Sequence, residues 1–263
     1  MKKSWKEGLF YLLLFAFCFA GGRLTAARQA VNASNMATGG KLAIVIDDFG
    51  YDGNGTEEML ALPIPFTAAV MPFSEFSVEN AKKVEEAGKE VVLHMPMEAL
   101  TGKAEWVGDK GVFRSMTDEE IKAVVQEAFT ILPNAVGMNN HMGSAIMEDQ
   151  RCLGDVLDVL KAQNGFFIDS VTTCNSQGRC LAEEKGVPFI ARDVFLDGTS
   201  DVEKVKQNLR KAAEIALKKG KAVAIGHVGP EGGEVTAKAI AELIPEFEEE
   251  GITFVTASEL IEE

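Results

Sequence analysis

Past residue 40 the chain alternates between two hydrophobic periods. Short runs rich in β-branched and aliphatic residues, near 42–47, 66–71, 90–94, 135–139, 166–169, 187–191, 222–226 and 252–256, read as buried strands. Longer stretches between them carry apolar positions three and four residues apart and read as helices. These run from Ser74 to Ala87, stopped by Gly88, and from Thr117 to Leu132, opened by the capping box Thr117-Asp118-Glu119-Glu120 and followed by Pro133. Three more span Gln150 to Gln163, Asp201 to Lys219, and Glu234 to Glu250 with a bend at Pro245. Strands this apolar need cover on both faces, which repeated strand–helix units supply around a parallel sheet. Seven or eight units between residue 41 and residue 263 predict a single α/β domain, a closed or nearly closed barrel of seven or eight parallel strands. No Gly-x-Gly-x-x-Gly follows the first strand, which counts against a nucleotide-binding open sheet.

One joint is too long to be a simple turn. Leu100 to Met116 carries Trp106 and Phe113 with little periodicity, and unstructured joints of this size usually serve function. Because it follows a strand directly, it is expected over the carboxyl end of the barrel. Trp106 is either a stacking surface for a sugar ring or an anchor packed on the body.

The first 33 residues break the pattern. Lys2, Lys3 and Lys6 precede the apolar run Leu9 to Ala20, then Gly21-Gly22 and a small-residue stretch with Val31-Asn32-Ala33 as a cleavage site. That order is a secretory signal, and twelve apolar residues are short for a spanning helix. The expectation is export to a periplasmic or extracellular location; an uncleaved anchor, with residues 9–20 as a membrane tether, is the rival. Residues 34–40 read as a linker. Removing residues 1–33 takes away five basic residues and one acid, leaving 21 against 39 and a net charge of −18. So acidic a body is expected to repel nucleic acid. Of the remaining cysteines, Cys174 and Cys180 enclose a short loop that a disulfide would pin, while Cys152 falls in a helical pattern as a buried thiol. No Cys-x-x-Cys pair supports a cysteine zinc site.

The candidate chemistry gathers at the strand ends. The first strand stops on Asp47-Asp48 and a turn glycine, Gly50, and the chain's three histidines, His94, His141 and His227, each end or follow a strand-like run. Ligands in α/β proteins bind at that edge. With them come Glu98 after the third strand, Asn139 and Asn140 on the fourth, Asp169 and Ser170 on the fifth, and Arg192 and Asp193 on the sixth. Each alone has a plainer reading: Asp-Asp as a turn signal, Asn139-Asn140 as left-handed turn residues, Asp169-Ser170 as a helix cap, Arg192-Asp193 as a surface ion pair. Together, carboxylate and imidazole groups on separate rigid strands suit a divalent transition metal, zinc first, with one aspartate as ligand and the other as proton acceptor.

The motifs Ile46-Asp47-Asp48-Phe49-Gly50, His94-Met95-Pro96-Met97-Glu98, Asn139-Asn140-His141-Met142-Gly143-Ser144, Phe167-Ile168-Asp169-Ser170, Arg192-Asp193-Val194-Phe195-Leu196-Asp197 and Ile225-Gly226-His227 together resemble the divergent polysaccharide deacetylase family. The resemblance runs from Lys41 to the C-terminus. It implies a distorted (β/α) barrel and metal-dependent removal of N- or O-acetyl groups from an acetylated polysaccharide. It implies Asp47 as catalytic base, Asp48 and His94 as metal ligands, and His227 as the acid that protonates the leaving group. Ordinary deacetylases of this kind carry a second histidine four residues after the first, where this chain has Glu98. Either His141 supplies that imidazole or Glu98 ligates through oxygen. The alternative function is a glycan-binding or scaffold protein of the cell envelope that keeps barrel and pocket.

Overall fold

Strand β1 (Gly40–Phe49) is the axis of the sheet, because three other strands hydrogen-bond to it. The computed structural model describes residues 39–108, 110–230 and 232–261, so the export segment expected at residues 1–33 and most of the 34–40 linker lie outside the described residues. Downstream come β2 (Thr67–Val70), β3 (Glu90–Met97), β4 (Gly137–Met142), β5 (Phe166–Asp169), β6 (Phe189–Ala191), β7 (Val194–Phe195), β8 (Lys221–His227) and β9 (Ile252–Val255). All pairings are parallel, in the order β6-β5-β4-β3-β2-β1-β8-β7, with β9 on the amino half of β1. The nine strands exceed the expected seven or eight because the sixth run splits at Arg192-Asp193. Before the split the chain pairs with β5, and Arg192 N–H donates to Asp169 O at 3.0 Å; after it, Asp193 N–H donates to Val223 O on β8 at 2.8 Å. The sheet is thus curled so that its two ends are consecutive pieces of one chain segment.

Helices cover the outer face as the 3.6-residue pattern required. They are α1 (Thr56–Leu60), α2 (Ser77–Glu86), α3 (Asp118–Ile131), α4 (Ser144–Glu148), α5 (Gln150–Ala162), α6 (Gly178–Lys185), α7 (Val202–Lys219), α8 (Gly233–Glu249) and α9 (Ala257–Ile261). The capping box at Thr117 and Glu120 forms as expected, Asp149 and Asp201 cap α5 and α7 through their side chains, and Pro245 lies inside α8. Among the described residues, no helix is long and apolar enough to cross a membrane.

Side-chain alternation divides the core. Leu42, Ile44 and Ile46 of β1 pack with Leu93 and Met138 in the large cluster under the helices, whereas Ala43, Val45, Val92, Ile168, Val223 and Ile225 form a second, smaller cluster. Successive strand residues face opposite sides, so this second set is the inner face.

Cys174 and Cys180, whose spacing left a disulfide open, are both free and exposed, with Cys180 on α6, which begins at Gly178. Cys152 is buried and free, as expected. Asp193, expected at the substrate, instead serves the fold: its Oδ2 accepts the Val223 N–H at 3.0 Å and its Oδ1 faces Lys219 Nζ at 3.2 Å. Arg192 lines the cleft and Asp193 does not. Asp193→Ala is expected to cost about 1–2 kcal/mol by removing the acceptor of a strand N–H, read as a melting midpoint several degrees lower with cation affinity unchanged. An unchanged midpoint with weakened glycan binding would return Asp193 to the site.

Candidate active site

The inner-face parity of each strand, carried to its carboxyl end, assembles the site. Position 47 continues 43 and 45 on β1, His94 continues Val92 on β3, Asn139 and His141 share a face of β4, Ser170 follows Ile168, and His227 follows Val223 and Ile225 on β8. Strand register sets them side by side, with Asp47 opposite His227, His94 opposite Asn139, and Pro96 opposite His141. Asp48 would point away by the same rule, but its backbone turns to φ 68°, the left-handed region that Asp tolerates, and this brings its carboxylate round to the cleft. Gly50 sustains the turn at φ 116°, its N–H held by buried Asn80 Oδ1 at 2.9 Å.

Asp48 Oδ1 lies 3.2 Å from His94 Nε2 and 3.3 Å from His141 Nδ1, and those two nitrogens are 3.1 Å apart. Each imidazole commits its other nitrogen elsewhere: His94 Nδ1 bonds Asn139 Oδ1 at 2.7 Å, and His141 Nε2 bonds the Trp106 carbonyl at 3.0 Å. A neutral imidazole has one proton, so in both rings the lone pair faces Asp48. Asp48 Oδ1 is buried without a hydrogen-bond partner. Three electron-pair donors converging on one buried point require a positive charge, either a proton or a cation. Burial raises the Asp48 pKa, but a second proton on His141 or His94, placed beside the carboxylate, outweighs it and holds the carboxyl far below its ordinary range. For His94, burial lowers the pKa, yet Asp47 and Asp48 together leave it raised. Metal affinity at such a site depends on displacing that proton. One carboxylate oxygen and two imidazole nitrogens, all within 4.8 Å of one another, match the donor set of zinc and related divalent ions.

Asp47 is 2% exposed. Its Oδ1 accepts Asn139 Nδ2–H at 2.7 Å, while Oδ2 faces His94 Nε2 at 3.8 Å and His227 Nε2 at 3.9 Å. Burial pushes its pKa up against the pull of both histidines. Asn139, expected to touch substrate, has its amide engaged by His94, Asp47 and, at 3.4 Å, the Ser170 hydroxyl; it orients the first two. His227 Nδ1 donates to Asp197 Oδ1 at 2.8 Å, and Asp197 Oδ2 accepts the His227 N–H at 2.7 Å and the Thr236 hydroxyl at 2.8 Å. Burial lowers the His227 pKa, but the Asp197 hydrogen bond and the charges of Asp47 and Asp197 dominate and raise it from 6.5 to about 9. Asp197 was not singled out from sequence, although it closes the Arg192–Asp197 motif.

A cleft of about 390 Å³ opens over this cluster, lined also by Asn140, Met142, Ser170, Val171, Thr172, Arg192 and Phe195. Asn140 Oδ1 accepts the Ser170 N–H at 3.0 Å, and Arg192 Nε and Nη2 donate to Ser170 O at 2.7 Å and Val171 O at 2.9 Å. They hold Val171 at φ 52°, a strained conformation for a β-branched residue, with its side chain exposed at the cleft. Asp169, expected at the substrate, turns back instead: it accepts Val171 N–H at 2.7 Å and Ser176 Oγ–H at 2.6 Å. Phe195, quoted within the Arg192–Asp197 motif but given no role there, is 40% exposed with its ring 5.0 Å from that of His227 and the Arg192 guanidinium 5.2 Å away. Glu98, the alternative oxygen ligand, is not in the cluster. Arg114 Nε and Nη2 hold its Oε1 at 3.1 and 2.9 Å and the Arg114 N–H its Oε2 at 2.7 Å. Trp106 is 59% exposed and reaches the site through its carbonyl.

The His227–Asp197 pair makes folding pH-dependent. A histidine whose folded pKa lies above its unfolded 6.5 adds stability that is complete below 6.5 and lost as pH rises through about 9. Urea midpoints of the metal-free chain are expected to fall across that window, and Asp197→Asn is expected to flatten the fall and to return His227 toward 6.5 in an NMR titration. A His227 pKa unmoved by Asp197→Asn would contradict the pairing.

Residues 44–261 match the family described as divergent polysaccharide deacetylase. The uncharacterized protein YibQ of Escherichia coli (strain K12) is 36% identical over 231 residues, 88% of this chain and 70% of that one. An uncharacterized protein of Haemophilus influenzae is 33% identical over 190 residues, 72% of this chain and 67% of its own length. Among solved structures, the uncharacterized protein ATU2773 of Agrobacterium tumefaciens C58 superposes with TM-score 0.76 at 20% identity, over 86% of this chain and 90% of that one. The Bc1960 peptidoglycan N-acetylglucosamine deacetylase superposes with TM-score 0.51 at 15% identity, over 84% and 88%. At such identities the structures speak for a shared barrel, while the sequence match assigns descent: the chain belongs to the divergent polysaccharide deacetylase family.

Proposed function

We propose that the chain is an exported hydrolase that removes acetyl groups from a cell-envelope or extracellular polysaccharide, with a divalent metal, zinc first, held by Asp48, His94 and His141. The observation that carries the reading is the geometry around Asp47: a buried carboxylate with one oxygen tied to Asn139 and the other facing both the cation cluster and the Nε2 of a protonated His227. Base and acid flank one point in a cleft large enough for a sugar unit and its acetyl group. Membership in the family supports the hydrolase class. The signal-like order of residues 1–33 supports export.

A bound divalent cation lowers the pKa of a coordinated water and polarises a carbonyl. The chain's residues supply the rest. Asp47 Oδ2 takes a proton from the attacking water as its oxygen bonds to the acetyl carbon. Asn139, fixed on β4, keeps Oδ1 occupied so that Oδ2 receives the proton, and keeps the His94 lone pair directed at the cluster. His227 gives its Nε2 proton to the sugar nitrogen or oxygen as the bond to the acetyl carbon breaks; the free sugar group and acetic acid leave, the acid passing its remaining proton to the freed amine or to solvent as it becomes acetate. Asp197, on the opposite ring nitrogen, keeps His227 protonated beforehand. Returning the proton from Asp47 to His227 restores the starting state. Arg192 holds the Ser170–Val171 rim, and Asn140 braces the same turn.

The test is acetate release from acetylated glucosamine oligomers and from peptidoglycan by the zinc-loaded full chain. Asp47→Asn is expected to lower kcat by at least about 100-fold while retaining bound metal. In the parent, kcat/KM is expected to fall as pH rises through about 9, where His227 loses its proton. Unaltered turnover in Asp47→Asn would remove Asp47 from the mechanism. Glycan binding with no acetate released from any substrate would favour a binding or scaffold role.

A further inference from the structure

The two histidines of the cluster differ in what stands behind them. His94 is backed by Asn139, a buried side chain on β4 that is itself tied to Asp47. His141 is backed by a main-chain oxygen, the Trp106 carbonyl, at 3.0 Å from Nε2. That carbonyl selects the tautomer in which the Nδ1 lone pair faces Asp48 and His94.

Trp106 lies in the 98–116 joint between β3 and α3. The base of the joint is fixed by backbone bonds: Val112 N–H donates to Pro96 O and Glu98 N–H to Val112 O, both at 2.9 Å, and Arg114 grips Glu98. The tip is held differently. Trp106 sits in the short 3-10 turn Ala104–Trp106, its N–H bonds Lys103 O inside that turn, and its ring is 59% exposed. Gly102 closes against that ring: it adopts φ 109°, and a Cβ there would lie 3.2 Å from Trp106 Cε3 and 3.3 Å from Met142 Cε. Met142 follows His141 directly and is itself at φ 53°. The tip therefore meets the His141 segment twice, carbonyl to imidazole and Gly102 beside Met142.

We infer that the 98–116 joint is an outer part of the cation site, in which the Trp106 carbonyl positions His141 and the exposed Trp106 ring shifts with it. The inference rests on the cation reading above and is independent of acetyl removal. Coupling between two sites is reciprocal, so a sugar stacked on the Trp106 ring changes cation affinity by the factor with which the cation changes affinity for that sugar. Trp106 acts here through its main chain. Displacing the tip, rather than trimming the indole, is what loosens His141.

The test uses the full chain carrying Trp5→Phe, which leaves Trp106 as the sole tryptophan of the two. On titration with Zn²⁺, Trp106 emission is expected to change in step with occupancy. Gly102→Ala is expected to weaken Zn²⁺ binding by about 10- to 100-fold, the range for losing an outer partner of a metal histidine, measured at a temperature where the variant, whose midpoint the positive φ lowers, is fully folded. Arg114→Gln, which removes the guanidinium grip on Glu98 at the base of the joint and leaves Gly102 intact, is expected to weaken binding in the same direction and serves if Gly102→Ala does not fold. NMR of the ring nitrogens is expected to show His141 as the Nε2–H tautomer in the parent and a mixture in the weakened variant. Zn²⁺ affinity within twofold of the parent in both variants, or emission indifferent to bound Zn²⁺, would overturn the inference. A parent that binds no Zn²⁺ would overturn it together with the cation reading. Coupling that persists in a chain releasing no acetate would uphold it and count against the deacetylase reading alone.

Discussion

The structure turns on three electron-pair donors aimed at one buried point. Asp48 Oδ1, His94 Nε2 and His141 Nδ1 approach within 3.1–3.3 Å, each imidazole fixed by a bond on its far side. Leaving a buried acceptor unpaired costs about 1–3 kcal/mol, and more for a charged one. A fold that accumulates such a cost at one place needs a positive charge there. The left-handed turn at Asp48, the Asn139 bridge and the Trp106 contact all have this convergence as their common consequence.

Rigidity is distributed accordingly. Asp47, His94, His141 and His227 stand on strands registered through backbone ladders, and β1 is flanked by β2 and β9 on one side and β8 on the other. The groups that shape the cleft's rim, Val171, Thr172 and Phe195, stand on or beside turns, as specificity-bearing residues commonly do. His227 and Asp47 sit in opposed environments. His227 gains a carboxylate partner and is protonated at neutral pH, while Asp47 faces two imidazoles from a water-poor position.

Much of this was legible in the sequence because the informative residues end long apolar runs. Asp47, His94 and His227 each close a run whose parity of two already fixes their face. His141 needed only the same counting on β4. Asp197 was harder: it follows β7, two residues long, and no alternation can be read from Val194–Phe195. Glu98 was mistaken for a ligand alternative because its spacing from His94 ignores that β3 ends at Met97, after which Arg114 captures the carboxylate. Asp169 and Asp193 looked like site residues by adjacency to Ser170 and Arg192, but one closes a local turn and the other braces β8. The Cys174–Cys180 spacing did not reveal the start of α6 between them. Val171 left no signal and Phe195 only its place in a motif, since strain and exposure depend on the tertiary arrangement.

X-ray absorption of the zinc-loaded full chain, beside its His141→Ala variant, tests the central claim most directly. The account predicts one zinc per chain with a nitrogen and oxygen shell containing two imidazoles, reduced to one imidazole or lost in the variant. A parent shell with a single imidazole unchanged by His141→Ala, or a parent chain that takes up no cation, would contradict it.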